Sequence, residues 1–558
     1  MKRIVTNSFA KEVRVVAIAA ALVSLAAFLW FYSRGEVLLY GDAVAHVNIA
    51  RRVFDGQTPG LQQLGSVWLP LPHVVTIPFV VNDWMWRTGV GGAIPAMIAY
   101  VFGVAGIFRL LKRRASLVAA GSGTAVYALN PNLLYMQSTG MTESIFLATV
   151  IWTVVYLDDF VTAMRAGVDA GGAGLQRLEP HAALERLGMV LAASILTRYD
   201  GWVLAGISGV TVFGVLLQRW KQRERGNRRS LFRSAADFYL LCALVPTLWL
   251  AQNYSNTGNP LDFANGPYSA KAIAELSTPP GQPAHPGSGS MKVAAIYFLK
   301  AAKLNVTWGA WEPWMLGLLL GGTVIALLHW RRDAILLLLW FVLPFYAYSV
   351  AYGSVPIFLP LWWPFSYYNV RYGLELLPAF SVFIGLLIGY LHSPFHRVLI
   401  QRTVVVTAVV IVGGSYLAVA RATPICLREA RVNSVTRVAL ETRLGQELRK
   451  LPPDSTLLMY TSNYVGALQR EGIPLRRVIW EGVNPDWYFA LAMPAMHADY
   501  VVAVEGDPVS KAVHEYPVGL EPIVQFDSLD KPRVTIYRSL ERKRRSVLPK
   551  YTLATKCA

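Results

Sequence analysis

The sequence predicts an α-helical polytopic membrane protein of about 11 transmembrane helices, followed by a small C-terminal α/β domain on the outer side. Three observations carry that expectation. Of 558 residues, 54% are hydrophobic and only 15% charged, where soluble domains carry nearer a quarter charged. The apolar residues fall in repeated runs of membrane-spanning length. Lys and Arg gather in every second loop between those runs, the asymmetry that orients membrane proteins.

Residues 1–14 carry Lys2, Arg3, Lys11 and Arg14 ahead of the apolar run 15–32. No small-residue cleavage site follows, and the run is long enough to span. It is expected to act as a start-transfer anchor, with the N-terminus in the cytoplasm. Further spans are expected near 93–111, 115–133, 141–158, 187–198, 201–218, 235–252, 312–329, 334–352, 373–391 and 403–420. The fifth and sixth are divided by Arg198-Tyr199-Asp200, whose charges must face protein or water. The loops assigned to the cytoplasm hold Arg109, Lys112, Arg113 and Arg114, then Arg219, Lys221, Arg223, Arg225, Arg228 and Arg229. The outside loops hold only scattered basic residues such as Arg51, Arg52, Arg87, Arg198 and Arg371.

Three outside loops are long. Residues 33–92 contain two helix-like stretches and the segment SVWLPLPH; residues 253–311 include TPPGQPAHPGSGS, a composition that predicts mobility. Residues 353–371 carry LWWPFSYYNVRY, whose Trp and Tyr suit the bilayer interface. The transmembrane region is therefore taken as 1–420. Over 421–558 the pattern becomes globular, with an amphipathic helix near 428–451 and strand-like runs STLLMY, YVVAVEG and RVTIYRS. The basic tail LERKRRS would favour the cytoplasm by charge counting, but long domains are translocated largely regardless of charge.

The net charge of +18 resides in short loops, and no zinc spacing or nucleic-acid motif accompanies it, so no nucleic-acid partner is expected. Three cysteines, Cys242, Cys426 and Cys557, exclude a disulfide scaffold or an iron–sulfur site. Cys426 and Cys557 could pair in an oxidising compartment. The sequons at Asn253 and Asn305 are assigned no function.

Asp42 is the carboxylate best placed for chemistry. It lies about ten residues beyond the first span, in LLYGDAVAHVNIARRVFDG, with His46 four residues on and on the same helical face. It can serve as a general base toward an incoming hydroxyl, or simply as the N-cap that Gly41-Asp42 before an apolar-periodic run suggests. Arg371 and Arg198 stand at the outer ends of spans and can grip phosphate, or snorkel to lipid head groups. Arg51 and Arg52 offer the same chemistry or a solvated helix face. Glu143 opens the fourth span, where the helix dipole favours an acid in any case. Asp200 can pair with Arg198. His73 follows the Pro-rich element and is a candidate substrate contact or a structural histidine.

A short cytoplasmic N-terminus, one span and a long outside loop opening on an acid resembles the GT-C superfamily of membrane glycosyltransferases. The likeness is greatest to the protein O-mannosyltransferase and aminoarabinose-transferase branch (glycosyltransferase family 39-like). That branch opens its first outside loop with a pattern like DExxYxxIAR. Asp42, Ile49, Ala50 and Arg51 match it, Ala43 replaces the second acid, and His46 stands at the Tyr position. The branch's Pro-Pro-Leu element, often preceded by Lys, corresponds to Trp68-Leu69-Pro70-Leu71-Pro72-His73, which lacks the Lys. Its late Arg-Tyr corresponds to Arg371-Tyr372, followed by Leu376-Leu377-Pro378.

The resemblance implies transfer of a sugar from a polyprenyl-phosphate donor to a glycan, lipid or protein acceptor at the outer face, with inversion and with Asp42 as base. His46, Arg51, His73, Glu143, Arg198, Arg371 and Tyr372 are then the expected substrate contacts, and membrane lipids the surrounding partners. Branches that bind a divalent cation use a DxD or DxE pair; Asp42-Ala43-Val44 lacks the second ligand, and a hard cation needs several oxygens. No metal or other cofactor is expected. A lipid-linked glycan transporter or flippase, or a non-catalytic envelope assembly factor of the same fold, are the alternatives. The transporter predicts internal repeats and midplane charges, neither of which the spans display.

Overall fold

The computed structural model describes residues 2–166, 179–221, 228–277, 281–392, 398–483, 485–528 and 531–541. Cys557, most of LERKRRS and the first three residues of TPPGQPAHPGSGS lie outside them. Among the described residues nine helices are long and apolar enough to cross a membrane, and the chain is an integral membrane protein. Two of the expected spans fall short of that length: 115–133 is the helix Leu117–Ala128 followed by Pro131–Met136, and 187–198 is part of Pro180–Ile195. Asn130 explains the first break. Its side chain accepts from the Leu133 amide ahead of Pro131, so one helix ends and another is capped within the expected span.

The chain divides into two compact units. The first comprises Met1–Val37, Gly65–Val75 and Gly92–Val432, and it holds the apolar helices. The second comprises Leu38–Leu64, Thr76–Gly91 and Asn433–Ala558. Most of the first outside loop thus groups with the C-terminal segment.

Within the first unit, the helix Glu143–Ala166 has its acid at one end and Asp158, Asp159 and Arg165 near the other. At 1.5 Å per residue, Glu143 and Arg165 are separated by about 33 Å, close to the hydrocarbon thickness. The segment 281–290, for which composition predicts mobility, is tied down. Gly289 donates its amide to the Ala351 carbonyl at 2.9 Å. The His285 ring packs edge-on to Tyr297 and stacks on Phe358.

His285 fixes its own protonation state. Gly287 N–H donates to Nδ1 at 3.0 Å, so Nε2 carries the proton and donates to the Ile357 carbonyl at 3.0 Å. Burial pushes the imidazole below its ordinary range. A depressed folded value means that its contribution is present above the unfolded value of about 6.5 and is lost as pH falls through the folded one. Amide exchange in 285–289 is therefore expected to accelerate, relative to the intrinsic rate, between pH 7.5 and pH 5. His285→Phe should remove that acceleration. Unchanged protection at pH 5 in the parent protein would contradict the assignment.

The second unit is built on a five-stranded sheet: β1 (Leu457–Met459), β2 (Val478–Ile479), β3 (Tyr500–Val504), β4 (Leu520–Ser528) and β5 (Lys531–Ser539). Its order is β2-β1-β3-β5-β4, parallel across β2-β1-β3 and antiparallel across β3-β5-β4. Period-two alternation sorts the side chains. Leu457, Met459, Val502, Val504, Val534 and Ile536 enter one core, while Leu458, Val501 and Ala503 enter the other. The second core is closed by Trp487 and Ala490 and by Val509 and Val513, from the helices Asp486–Ala492 and Pro508–Glu515.

The first core decides where Asp42 sits. Leu440, Leu444 and Leu448 form one stripe of the helix Ile425–Arg449. Val47 and Ala50 from the helix Gly41–Asp55, with Val80 and Trp86, join the same core and are wholly or almost wholly buried. Each fully buried aliphatic side chain contributes roughly 1.5–3 kcal/mol. The Asp42 helix is thus an integral part of the second unit.

Candidate functional site

In the second unit the helix Gly41–Asp55 begins at Tyr40, whose carbonyl accepts from Val44 N–H. Asp42 lies within the first turn, half-buried, one residue inside the helix. The N-cap position belongs to Tyr40, which makes no side-chain cap bond, so the cap reading of Asp42 does not hold. Arg437 sets the entry into this turn. It donates to the Leu38 and Leu39 carbonyls at 3.1 and 2.8 Å and is itself held by Glu441 at 2.8 Å. Downstream, Asn48 donates to Gln469 at 2.7 Å and accepts from the Trp86 indole at 3.1 Å, while Gln469 donates to the Trp86 carbonyl at 2.7 Å. Buried polar groups so paired fix the helix in rotation as well as position.

His46 is buried on this helix. Arg51 is braced rather than open. Its Nε meets Asp55 at 2.9 Å, Nη1 donates to the Val80 and Val81 carbonyls at 2.8 and 3.2 Å, and Nη2 meets Asp83 at 2.7 Å. Asp55 also takes Arg476 at 2.6 Å. These contacts give Arg51 a structural task, tying the helix to the Val80–Asp83 turn. Arg52 lies over the Trp480 ring at 3.9 Å.

In the first unit, four of the sequence candidates meet in one buried ionic cluster. Arg371 Nε donates to Glu143 Oε1 at 3.0 Å, and its Nη1 to Glu429 Oε1 at 3.3 Å. Arg198 reaches Asp200 at 3.2 Å, Glu375 at 3.2 Å and the Tyr346 hydroxyl at 2.8 Å, and lies 3.8 Å from Glu143. Tyr346 donates to Glu375 at 2.6 Å. The Tyr372 ring stacks on Tyr346 and lies 5.0 Å from both guanidinium groups, within cation–π range of each. Charges removed from water this completely need such pairing.

Local chain geometry places these groups. Asn369 adopts a left-handed conformation and donates to the Pro356 carbonyl at 2.9 Å, a conformation Asn tolerates. The turn Val370–Leu376 that follows is pressed onto the helix Met291–Val306. A Cβ on Gly373 would lie 2.3 Å from the Ala301 carbonyl carbon, so only glycine allows the approach. Asn305 locks the same place: its side chain donates to Ala301 and Val370 carbonyls, and its carbonyl accepts from Asn130 and Asn132. Asn305 is therefore wholly buried, as is Asn253, so neither sequon exposes its acceptor asparagine. Cys426 is buried, with Sγ 3.2 Å from Asn305 Oδ1.

Glu375, Glu429 and Tyr346 were not singled out from the sequence. Glu375 carried a signal, since an acid inside an apolar span is a functional-site hypothesis by default. Among the described residues, one carboxylate oxygen each of Glu143, Asp200 and Glu375 meets no hydrogen-bond donor. His73 is fully buried in the helix Leu71–Val80. Among the described residues no three His, Cys, Asp or Glu side chains gather as metal ligands.

No protein-family model matches the sequence, and no curated protein matches it. The fold does have solved counterparts. ArnT from Cupriavidus metallidurans bound to undecaprenyl phosphate aligns with a TM-score of 0.56 at 13% identity, over 94% of this chain and 97% of that one. The apo state of the same protein aligns over the same shares at 13% identity, with a TM-score of 0.55. At that identity the likeness is one of fold.

Proposed function

We propose that this protein is a membrane glycosyltransferase that moves a sugar from a polyprenyl-phosphate donor to a hydroxyl-bearing acceptor outside the cytoplasm. The observation that carries the reading is Asp42, held in the first turn of a helix whose entry is fixed by Arg437 and whose body is anchored in a core. A general base needs that rigidity, because misplacement of about 1 Å costs rate steeply. The GT-C fold shared with a protein that binds undecaprenyl phosphate supports the class of donor.

In the proposed step the acceptor O–H gives its proton to the Asp42 carboxylate while its oxygen attacks the anomeric carbon. The anomeric carbon–phosphate oxygen bond breaks on the opposite face, so configuration inverts and polyprenyl phosphate leaves with the electron pair. Within the first unit, Arg371 and Arg198 are the proposed contacts to the phosphate of the lipid donor. The carboxylates and Tyr372 hold both guanidinium groups in fixed orientation. The second oxygen of Glu143 is an acceptor for donor groups on the sugar. His46 supports Asp42 from the same helical face.

The reaction is proposed to be metal-independent, since Ala43 and Val44 follow Asp42 where a second acidic ligand would stand. The test is a transfer assay on purified protein with labelled polyprenyl-phosphate sugars, run with and without exhaustive chelation. Product in both arms is expected. Loss of product on chelation, restored by Mg²⁺ or Mn²⁺, would contradict the metal assignment. Failure of every donor to react would contradict the transferase reading.

A further inference from the structure

Far along the helix Glu143–Ala166 from Glu143, the first unit carries a second charged cluster with the opposite balance. Arg109, Arg113, Arg114, Arg165, Arg331 and Arg332 surround only three carboxylates, Asp158, Asp159 and Asp333. Arg114 Nε meets Asp333 at 2.9 Å and its Nη2 meets Asp158; Arg113 meets Asp158 at 3.4 Å and also Asp159; Arg109 meets Asp159 at 3.1 Å. Arg332 shares Asp333 at 2.9 Å. Among the described residues, no carboxylate pairs with Arg165 or Arg331; Arg165 donates instead to the Arg331 carbonyl.

These side chains enclose a cavity of about 320 Å³, lined by Arg113, Arg114, Thr162, Arg165, Arg331 and Arg332. Five guanidinium groups around one cavity, with a hydroxyl beside them, suit the chemistry of a phosphate group, whose oxygens each accept two or more donors. The surface beside the cavity is apolar. Leu327, Leu328 and Trp330 are 52%, 69% and 58% exposed, on the segment that leads directly into Arg331. Trp there suits the bilayer interface, and the leucines suit acyl chains.

We propose that this pocket is a binding site for the phosphate head group of an anionic phospholipid, with the acyl chains along Leu327, Leu328 and Trp330. The chemistry differs from that of the Glu143–Arg371 cluster, where acids outnumber arginines. Paired Arg113 and Arg114 form the rigid floor, and Arg165 and Arg331 supply uncompensated charge at the rim. Basic pockets between transmembrane helices suit anionic head groups for this reason. The proposal rests on this pocket alone, and it stands or falls separately from the transfer reaction.

The test uses the full chain in nanodiscs of phosphatidylcholine containing phosphatidylglycerol, with retained lipid counted by native mass spectrometry. Phosphatidylglycerol should be retained in preference to phosphatidylcholine. The double variant Arg165→Gln/Arg331→Gln should lower that preference at least about tenfold, while Arg165→Lys/Arg331→Lys keeps most of it and Asp42→Asn keeps all. Both double variants are checked for parental elution in size-exclusion chromatography. A parallel arm titrates inorganic phosphate into pure phosphatidylcholine discs. Thermal protection by phosphate without retention of phosphatidylglycerol would overturn the lipid assignment in favour of a soluble phosphate ester. Equal retention of both lipids, or a preference unchanged in the glutamine variant and in the parent, would overturn the site.

Discussion

Replacing Asp42 by Asn is expected to slow sugar transfer by about 10²–10⁴-fold, the usual range for removing a general base, with little change in stability. The side chain is half-buried in the first turn, and the anchoring of the helix depends on Val47, Ala50, Asn48 and Arg51. The amide keeps the shape and loses the ability to take a proton. The loss should therefore appear in kcat, with the donor still bound at near-parental concentration. Comparable losses in kcat and thermal stability would point to a structural residue. Near-parental transfer would remove Asp42 from the mechanism.

The second large effect is expected at Arg371. It joins Glu143 and Glu429, and all three are buried. Arg371→Ala leaves two carboxylates without their partner, a change that costs about 3–5 kcal/mol when a buried pair is broken. The variant should unfold at clearly lower temperature. Arg371→Ala combined with Glu143→Gln should recover part of that loss, because the second change removes one uncompensated charge. The recovery measures the coupling directly.

Arg371→Lys separates stability from function. It keeps a positive charge but replaces the planar fork with a single ammonium. The expected result is a folded protein whose KM for the lipid donor rises at least about tenfold. An unchanged KM in a folded Arg371→Lys variant would restrict Arg371 to holding the cluster together.

Much of the membrane region was legible in the sequence because apolar length and loop charge are local signals. The strand-like runs STLLMY, YVVAVEG and RVTIYRS became β1, β3 and β5 for the same reason: each alternates or runs apolar over a few residues. β2 has only two residues, too short for any pattern. β4 contains Pro522 and shifts register between Pro522 and Val524, so its alternation is broken at the edge of the sheet, where proline is tolerated.

Site geometry was legible in part. The sequence places Glu143, Arg198 and Arg371 at the outer ends of their spans, and the structure brings them together with Tyr372. Their partners Tyr346 and Glu429 lack local signals, because a tyrosine in an apolar helix and an acid in an amphipathic one look ordinary. Arg51 matched a family pattern, yet its donors serve Asp55, Val80, Val81 and Asp83. A sequence pattern records that an arginine is needed there without recording what it holds. The grouping of the Asp42 helix with the C-terminal sheet depends on pairs such as Asn48–Gln469, 421 positions apart, which no single-sequence period reveals.

Asp42 is proposed to drive cleavage of a sugar–phosphate bond on a polyprenyl lipid. Phosphorus NMR tests it most directly, by following a polyprenyl-phosphate sugar in nanodiscs with purified protein and acceptor. The parent protein should convert the phosphodiester resonance into the monoester of free polyprenyl phosphate, in step with sugar appearing on the acceptor, and Asp42→Asn should leave the diester essentially intact. Monoester formation at equal rates in both proteins would contradict the account.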